Sequence, residues 1–262
     1  MNKNQPIGIF DSGVGGTSIW KEIHKLLPNE STIYLADSKN APYGQKTTEE
    51  IVALSIKNTE KLIEYGAKII VVACNTATTN AIAVLRKKYD IPIIGIEPAI
   101  KPAALQTKNK SIGILATKGT LSSALFHKTS ELYAQNIQII EVIGEGLVPL
   151  IENNQIESDE MEHLLKKYLE PMTTANIDYL VLGCSHYPYL IPKIKRFLPS
   201  DVTIIDSGEA VARQTENILK DLDLLSTKTS CSLTFYSNLQ TATLKNLLHP
   251  FQEVSTIKML DF

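Results

Sequence analysis

The chain has 262 residues, of which 44% are hydrophobic and 21% are charged, and its formal net charge is −2 at pH 7. This composition is typical of a soluble globular protein of one or two domains. It lacks the basic excess that binding to nucleic acid requires, and no apolar run approaches the roughly 18 residues of a membrane helix.

Short apolar runs alternate with amphipathic stretches along the chain. The segment 1–6 leads directly into the first run without the apolar core of a signal peptide, so we predict a cytoplasmic protein. The runs predict strands at 6–11, 32–37, 68–73, 91–96, 111–116, 137–143, 178–183 and 201–206. The stretches between them predict helices, among them 47–65, 75–88, 158–170 and 208–225. This alternation predicts an α/β fold with mainly parallel sheets flanked by helices.

An internal repeat relates the two halves of the chain. The residues 7–12 (IGIFDS) recur at 112–117 (IGILAT), and Cys74 recurs as Cys184 at nearly the same offset. A third match, 93–95 with 204–206, keeps the same order. Repeats of this kind predict two similar structural units.

We therefore predict two pseudo-symmetric lobes with an active site in the cleft between them. The first lobe comprises 1–98 and the second comprises 99–207. The tail 208–262, with a predicted strand at 231–236 and a helix at 239–248, has no counterpart in the repeat. We expect it to pack on the first lobe, which makes that lobe discontinuous.

Two cysteines follow buried strands in matched settings. Cys74 precedes Asn75 and Thr76, and Cys184 precedes Ser185 and His186. Open α/β sheets bind their ligands at the carboxyl ends of strands, so two thiols there predict an acid and a base on opposite sides of a small substrate. The third cysteine, Cys231, lies in an alternating pattern typical of a packing residue. An odd count of three cysteines in a cytosolic chain argues against a disulfide framework.

A glycine-rich loop, 11–17 (DSGVGGT), follows the first strand and opens a helix. Its backbone N–H groups could hold an anion, and we favour a carboxylate. A dinucleotide site, with Asp37 as the ribose-binding acid, is the alternative, but Ser18 stands where its last glycine is needed. A glycine-rich turn without a ligand also remains open.

Five motifs in order resemble those of the bacterial glutamate racemases, in the aspartate/glutamate racemase superfamily. They are 7–16 (IGIFDSGVGG), 42–44 (PYG), 73–78 (ACNTAT), 95–98 (GIEP) and 182–188 (LGCSHYP). The sequence departs from the family at Ser185, where threonine is usual; serine keeps the hydroxyl and loses a methyl group.

The resemblance implies racemisation of free glutamate without a cofactor or a metal, by proton transfer between two bases. Cys74 would act on D-glutamate and Cys184 on L-glutamate, with Asp11 assisting the first thiol and His186 the second. The product would supply peptidoglycan synthesis, and a homodimer is the default expectation.

The same resemblance implies a set of substrate-binding residues. They are Asp11, Ser12, Tyr43, Gly44, Asn75, Thr76, Ser185 and His186. The internal repeat adds Thr117 and Thr120, which occupy the positions of the second half that correspond to the glycine-rich loop of the first. Glu152 is a weaker candidate, which could polarise the second thiol and His186. Alternatively, Glu152 is a solvated acid at the end of a helix.

Four other interpretations remain open at this stage. The substrate could be aspartate or another amino acid, because pocket depth is not visible in the sequence. Cys74, Cys184, His186 and Asp11 could ligate zinc. A disulfide between the two cysteines could serve as a redox switch. A protein that binds glutamate without acting on it is the fourth alternative.

Overall fold

The computed structural model describes residues 2–133 and 136–262; Met1, Ala134 and Gln135, which belong to the predicted lobes, lie outside the described residues. The strands are β1 (Ile7–Asp11), β2 (Thr32–Ala36), β3 (Ile69–Val72), β4 (Ile93–Gly95), β5 (Ser111–Ala116), β6 (Gln138–Ile143), β7 (Tyr179–Gly183), β8 (Thr203–Ile205), β9 (Leu233–Ser237) and β10 (Ser255–Met259). The helices are α1 (Thr17–Leu26), α2 (Thr48–Glu64), α3 (Asn75–Lys88), α4 (Ile100–Gln106), α5 (Lys118–Leu121), α6 (Ala124–Tyr133), α7 (Leu147–Glu152), α8 (Asp159–Thr174), α9 (Ile191–Phe197), α10 (Gly208–Asp221) and α11 (Ala242–Leu247). Every predicted strand and helix is present, with ends that differ by at most four residues. Among the described strands, only β10 was not predicted.

Two parallel sheets are built on the same plan. The first has the strand order β10-β9-β2-β1-β3-β4 and the second has the order β6-β5-β7-β8. The central strand of each sheet, β1 or β5, pairs in parallel on both sides, so the order β2-β1-β3-β4 is repeated by β6-β5-β7-β8. The predicted α/β fold with two pseudo-symmetric lobes is confirmed.

The tail of the chain extends the first sheet. Strand β9 pairs in parallel with β2, with Leu233 opposite Thr32, and β10 pairs with β9. Helix α10 packs against α1. The division of the chain into lobes at 98 and 208 stays a prediction, and these contacts support it.

Burial explains why the central strands read as continuous apolar runs. All residues of β1, β3 and β5 are buried, because helices cover both faces of a parallel sheet. Several buried polar residues lie at or just beyond the carboxyl ends of the strands, among them Asp11, Asn75 and Ser185. Within the described residues, no helix has both the length and the apolar character needed to cross a membrane.

Candidate active site

The loops beyond the strand ends of the two lobes meet across a cleft. Ser185 Oγ, after β7, donates to Asp11 Oδ2 at the end of β1 over 2.8 Å. Ser18 Oγ of α1 donates to the carbonyl oxygen of Ser185 over 2.8 Å. Thr76 Oγ1 and Thr117 Oγ1 lie 2.8 Å apart, one from each lobe. These contacts hold the lobes together around a small cavity.

This cavity measures about 10 Å³, roughly the space of one water molecule. Its lining residues are Ser12, Pro42, Tyr43, Gly44, Cys74, Asn75, Thr76, Thr117, Val148, Cys184, Ser185 and His186. Ten of these were predicted site residues, and only Pro42 and Val148 were not. The remaining predicted residues, Asp11, Thr120 and Glu152, stand directly behind the lining and contact it.

A larger cavity of about 320 Å³ adjoins the site. The two share Pro42, Gly44, Thr117 and Val148, and the exposed Lys118 lies on the lining of the larger one. A molecule the size of an amino acid does not fit the inner cavity as it stands. Entry therefore requires the shared residues or the lobes to move apart.

Cys74 is 4% exposed and caps helix α3. Its Sγ accepts a hydrogen bond from Ala77 N over 3.4 Å and lies 3.6 Å from Ser12 Oγ. Burial raises the pKa of Cys74 far above the ordinary thiol value, and the charge of Asp11 raises it further against the two hydrogen bonds. In this closed arrangement Cys74 is therefore a protonated thiol, able to donate a proton.

Cys184 lies beside a histidine that is paired with a carboxylate. Its Sγ, on a residue 6% exposed, is 3.8 Å from His186 Nδ1, and His186 Nε2 is 2.6 Å from Glu152 Oε1. Gly15 N also approaches Nε2, at 3.2 Å, but the contact with Glu152 is much shorter and an ionised carboxylate only accepts, so we assign a proton to Nε2, which leaves Nδ1 facing the sulfur. Burial lowers the pKa of His186, but the hydrogen bonds with Cys184 and Glu152 and the charges of Cys184 and Asp11 outweigh it. The net pKa of His186 is raised well above its ordinary value.

This raised pKa gives a first testable prediction. Asp11→Asn should lower the pKa of His186, because the charge of Asp11 is one of the causes that raise it. An NMR titration of the ¹⁵N-labelled histidine ring measures the shift. His24, whose pKa burial lowers, is an internal reference that the substitution should leave unchanged. An unchanged or higher pKa of His186 would contradict this electrostatic account.

The glycine-rich loop does receive a carboxylate, but from the protein itself. Val14 N donates to Glu152 Oε1 over 2.7 Å. A Cβ atom on Gly13 would lie 2.0 Å from Glu152 Oε1, and one on Gly15 would lie 2.1 Å from His186 Nδ1. Glu152 thus takes the N–H group of Val14, and the expectation that the loop holds a ligand carboxylate stays a prediction. The glycines are needed for the close approach of the opposite lobe.

Tyr43 lines the cavity with its ring, while its hydroxyl is engaged elsewhere. The hydroxyl donates to Asp37 Oδ2 and accepts from Asn58 Nδ2 over 3.0 Å. Asp37 thus anchors the loop that carries Gly44. A Cβ atom on Gly44 would lie 2.9 Å from Thr117 Cβ, so glycine permits the lobes to close here.

Asn75 presents unused polar atoms at the cavity. It is 2% exposed, and neither Nδ2 nor Oδ1 has a hydrogen-bond partner among the described residues. A buried side-chain amide without partners is uncommon in proteins, and a ligand that both donates and accepts would satisfy it. Next to it, Thr76 joins Thr117 and Thr120 in a cluster of three hydroxyls with separations of 2.8–3.3 Å.

Two observations bear on the zinc and disulfide alternatives. Among residues 2–133 and 136–262, no group of three or more His, Cys, Asp or Glu side chains is placed to hold a metal ion. Cys74, Cys184 and Cys231 are all free thiols.

Comparison with known proteins gives consistent results. The family described as Asp/Glu/Hydantoin racemase matches residues 7–215. A glutamate racemase of Ectopseudomonas mendocina is 45% identical over 240 residues, which is 91% of each chain. The structure is similar to that of a glutamate racemase isoform from Bacillus anthracis, with a TM-score of 0.87 and 32% identity over 100% of this chain and 99% of that one. It is also similar to the Escherichia coli glutamate racemase in complex with L-glutamate and the activator UDP-MurNAc-Ala, with a TM-score of 0.85 and 35% identity over 98% of both chains.

Proposed function

The chain belongs to the Asp/Glu racemase family, and we propose that it interconverts L- and D-glutamate by proton transfer through Cys74 and Cys184. The observation that carries this proposal is that two buried thiols from different lobes line one cavity. Inversion of a stereocentre requires a base on one face and an acid on the other. The internal repeat of the fold supplies one thiol from each lobe.

The different surroundings of the thiols fit complementary roles. The raised pKa of Cys74 keeps its proton in place, and a protonated His186 would pair with a thiolate at Cys184. Starting from L-glutamate, the Cys184 thiolate takes the α-proton, so that a C–H bond breaks and an S–H bond forms. Cys74 then gives its proton to the opposite face, which yields D-glutamate and a Cys74 thiolate. The reverse reaction uses the same two steps in the opposite order.

The remaining polar residues of the cavity could stabilise the carbanion that forms after the first proton transfer and before the second. Charge develops next to a carboxylate, so hydrogen-bond donors must already be in position. Asn75 has a free amide, and Ser12, Thr76 and Ser185 bring hydroxyls to the same cavity. We assign substrate binding to these groups together with Gly44 and Thr117, and support of the first thiol to Asp11.

We favour glutamate over aspartate as the substrate because the relatives compared above, each aligned with over nine tenths of the chain, are glutamate racemases. Within this proposal the D-glutamate serves peptidoglycan synthesis in the cytoplasm, and the protein acts as a homodimer. No cofactor takes part, since the two thiols and the substrate account for every proton that moves.

Solvent exchange tests the proposal. Purified protein, dialysed against a chelator, is incubated with L-glutamate in deuterated water, and both enantiomers are separated and analysed by mass spectrometry. We expect D-glutamate that carries one deuterium at the α-carbon. L-Aspartate should react much more slowly. Folded protein that produces neither D-glutamate nor exchange would overturn the proposed function, and equal rates with aspartate would correct the substrate.

A further inference from the structure

Ser38 lies in the first lobe and contacts the carboxylate that pairs with His186 of the second lobe. Its Oγ donates to Glu152 Oε2 over 2.9 Å. The other carboxylate oxygen, Oε1, meets His186 Nε2 at 2.6 Å and accepts from Val14 N over 2.7 Å. Ser38 was not among the residues that the sequence pointed to, and it does not line the cavity.

We infer that Ser38 is a positioning residue for the second thiol: it fixes the Glu152 carboxylate so that Glu152 holds His186 with Nδ1 toward Cys184. This inference rests on the proposed function, because it concerns the acid–base partner of Cys184. A carboxylate held at one oxygen only can rotate about its terminal torsion, which is broad and roughly two-fold. A donor on Oε2 removes that freedom and keeps Oε1 on the ring.

Ser38 is itself held rigidly. It begins a single helical turn, in which Asn40 N donates to the carbonyl oxygen of Asp37 over 3.0 Å. Lys39 N donates to Asn238 Oδ1 over 2.9 Å, which ties the turn to the segment that follows β9. Ser38 is 8% exposed, so water competes little for its hydroxyl. The turn therefore offers a preorganised donor and not a mobile surface serine.

The contact also crosses the cleft. Glu152 ends α7 of the second lobe, while Ser38 and Val14 belong to the first. Two of the three groups that contact the carboxylate therefore come from the first lobe, and the third, His186, comes from the second.

Ser38→Ala tests the inference by two independent measurements. A hydrogen bond to a charged group is a strong one, and we expect kcat to fall about tenfold while KM changes less than about twofold. The pKa of His186, followed by NMR, should fall toward its ordinary value because the carboxylate is no longer held against Nε2. The NMR measurement needs no turnover, so it tests Ser38 even if the protein were inactive on glutamate.

Two further variants make the result specific. Ser55→Ala removes another buried hydroxyl, one that donates only to the carbonyl oxygen of Ile51 within α2, and should leave kcat and the pKa of His186 unchanged. In a Glu152→Gln background, Ser38→Ala should have little additional effect on kcat, because Ser38 acts through the carboxylate. The inference is overturned if Ser38→Ala changes neither quantity, or if its full effect on kcat persists beside Glu152→Gln. Failure of the wild-type protein to racemise glutamate would instead overturn the proposed function.

Discussion

Replacing Cys74 or Cys184 by alanine is expected to lower glutamate racemisation by about 10²–10⁴-fold, the usual contribution of a positioned acid or base. Each variant lacks one of the two thiols that the described residues place on the cavity lining. Cys231→Ala is the matched control, since this third cysteine lies before β9 and outside the cavity; its turnover should stay within about twofold of wild type. Rates are measured by chiral chromatography of both enantiomers.

The two variants should differ in solvent exchange, and this difference tests which face each thiol serves. In Cys74→Ala, Cys184 can still remove the α-proton of L-glutamate and return a deuteron to the same face. L-Glutamate should then gain deuterium without forming D-glutamate. Cys184→Ala should show the same behaviour with D-glutamate. A single variant that keeps near-normal racemisation would rule out the two-thiol mechanism, and exchange of the opposite enantiomers would reverse the assignment of the faces.

The sequence predicted the position of both thiols because the signal is local. Strands β3 and β7 are buried on both faces and read as short apolar runs, and a polar residue after such a run marks the edge of the sheet where ligands bind. The repeated pattern around Cys74 and Cys184 then implied that the two edges face each other. The short exposed strand β10 carries no such apolar run, and its alternation is weak, so it was missed.

The partners across the cleft could not be read from local patterns. Val14 and Glu152 are 138 residues apart, and Ser38 and Glu152 are 114 apart, yet they share hydrogen bonds. The loop 11–17 has the composition of an anion site, and only the packed lobes show that Glu152 is the anion at Val14. Likewise, the motif around Tyr43 marked the site, but the engagement of its hydroxyl by Asp37 depends on how the loop folds back. Such contacts follow from tertiary packing, which periodicity and residue type do not specify.

A buried ion pair at the opposite end of β3 joins four separate parts of the chain. Lys68 is fully buried, and its Nζ donates to Glu30 Oε2 over 2.6 Å and to the carbonyl oxygens of Lys3 and Leu224 over 2.5 and 2.8 Å. Glu30 Oε1 also accepts from Ser226 N over 2.7 Å. The pair thus connects the N-terminal segment, the α1–β2 connection and the start of β3 to the connection between α10 and β9. The hydrogen bonds of this ion pair with Leu224 and Ser226 link the tail 208–262 directly to residues of the predicted first lobe.

Lys68→Met is expected to lower the free energy of unfolding by about 3–5 kcal/mol, because it leaves the Glu30 carboxylate buried without its cation. Urea unfolding followed by circular dichroism measures this loss. Lys61→Met, which removes an ion pair with Glu64 at the surface, is the control and should cost less than about 1 kcal/mol. A cost for Lys68→Met no greater than that of Lys61→Met would show that the buried pair contributes little.

The double variant Glu30→Gln/Lys68→Met distinguishes two effects of Lys68→Met: the loss of the lysine itself, and the burial of a Glu30 carboxylate that has no cation beside it. A glutamine at 30 keeps an acceptor for Ser226 N and carries no charge, so the double variant should be more stable than Lys68→Met alone. If the tail is part of the first lobe, as we propose, Lys68→Met should also speed proteolytic cleavage between α10 and β9, and the double variant should slow it again. Cleavage that is unaffected by Lys68→Met would mean that the tail is held by β9 and α10 without help from this ion pair.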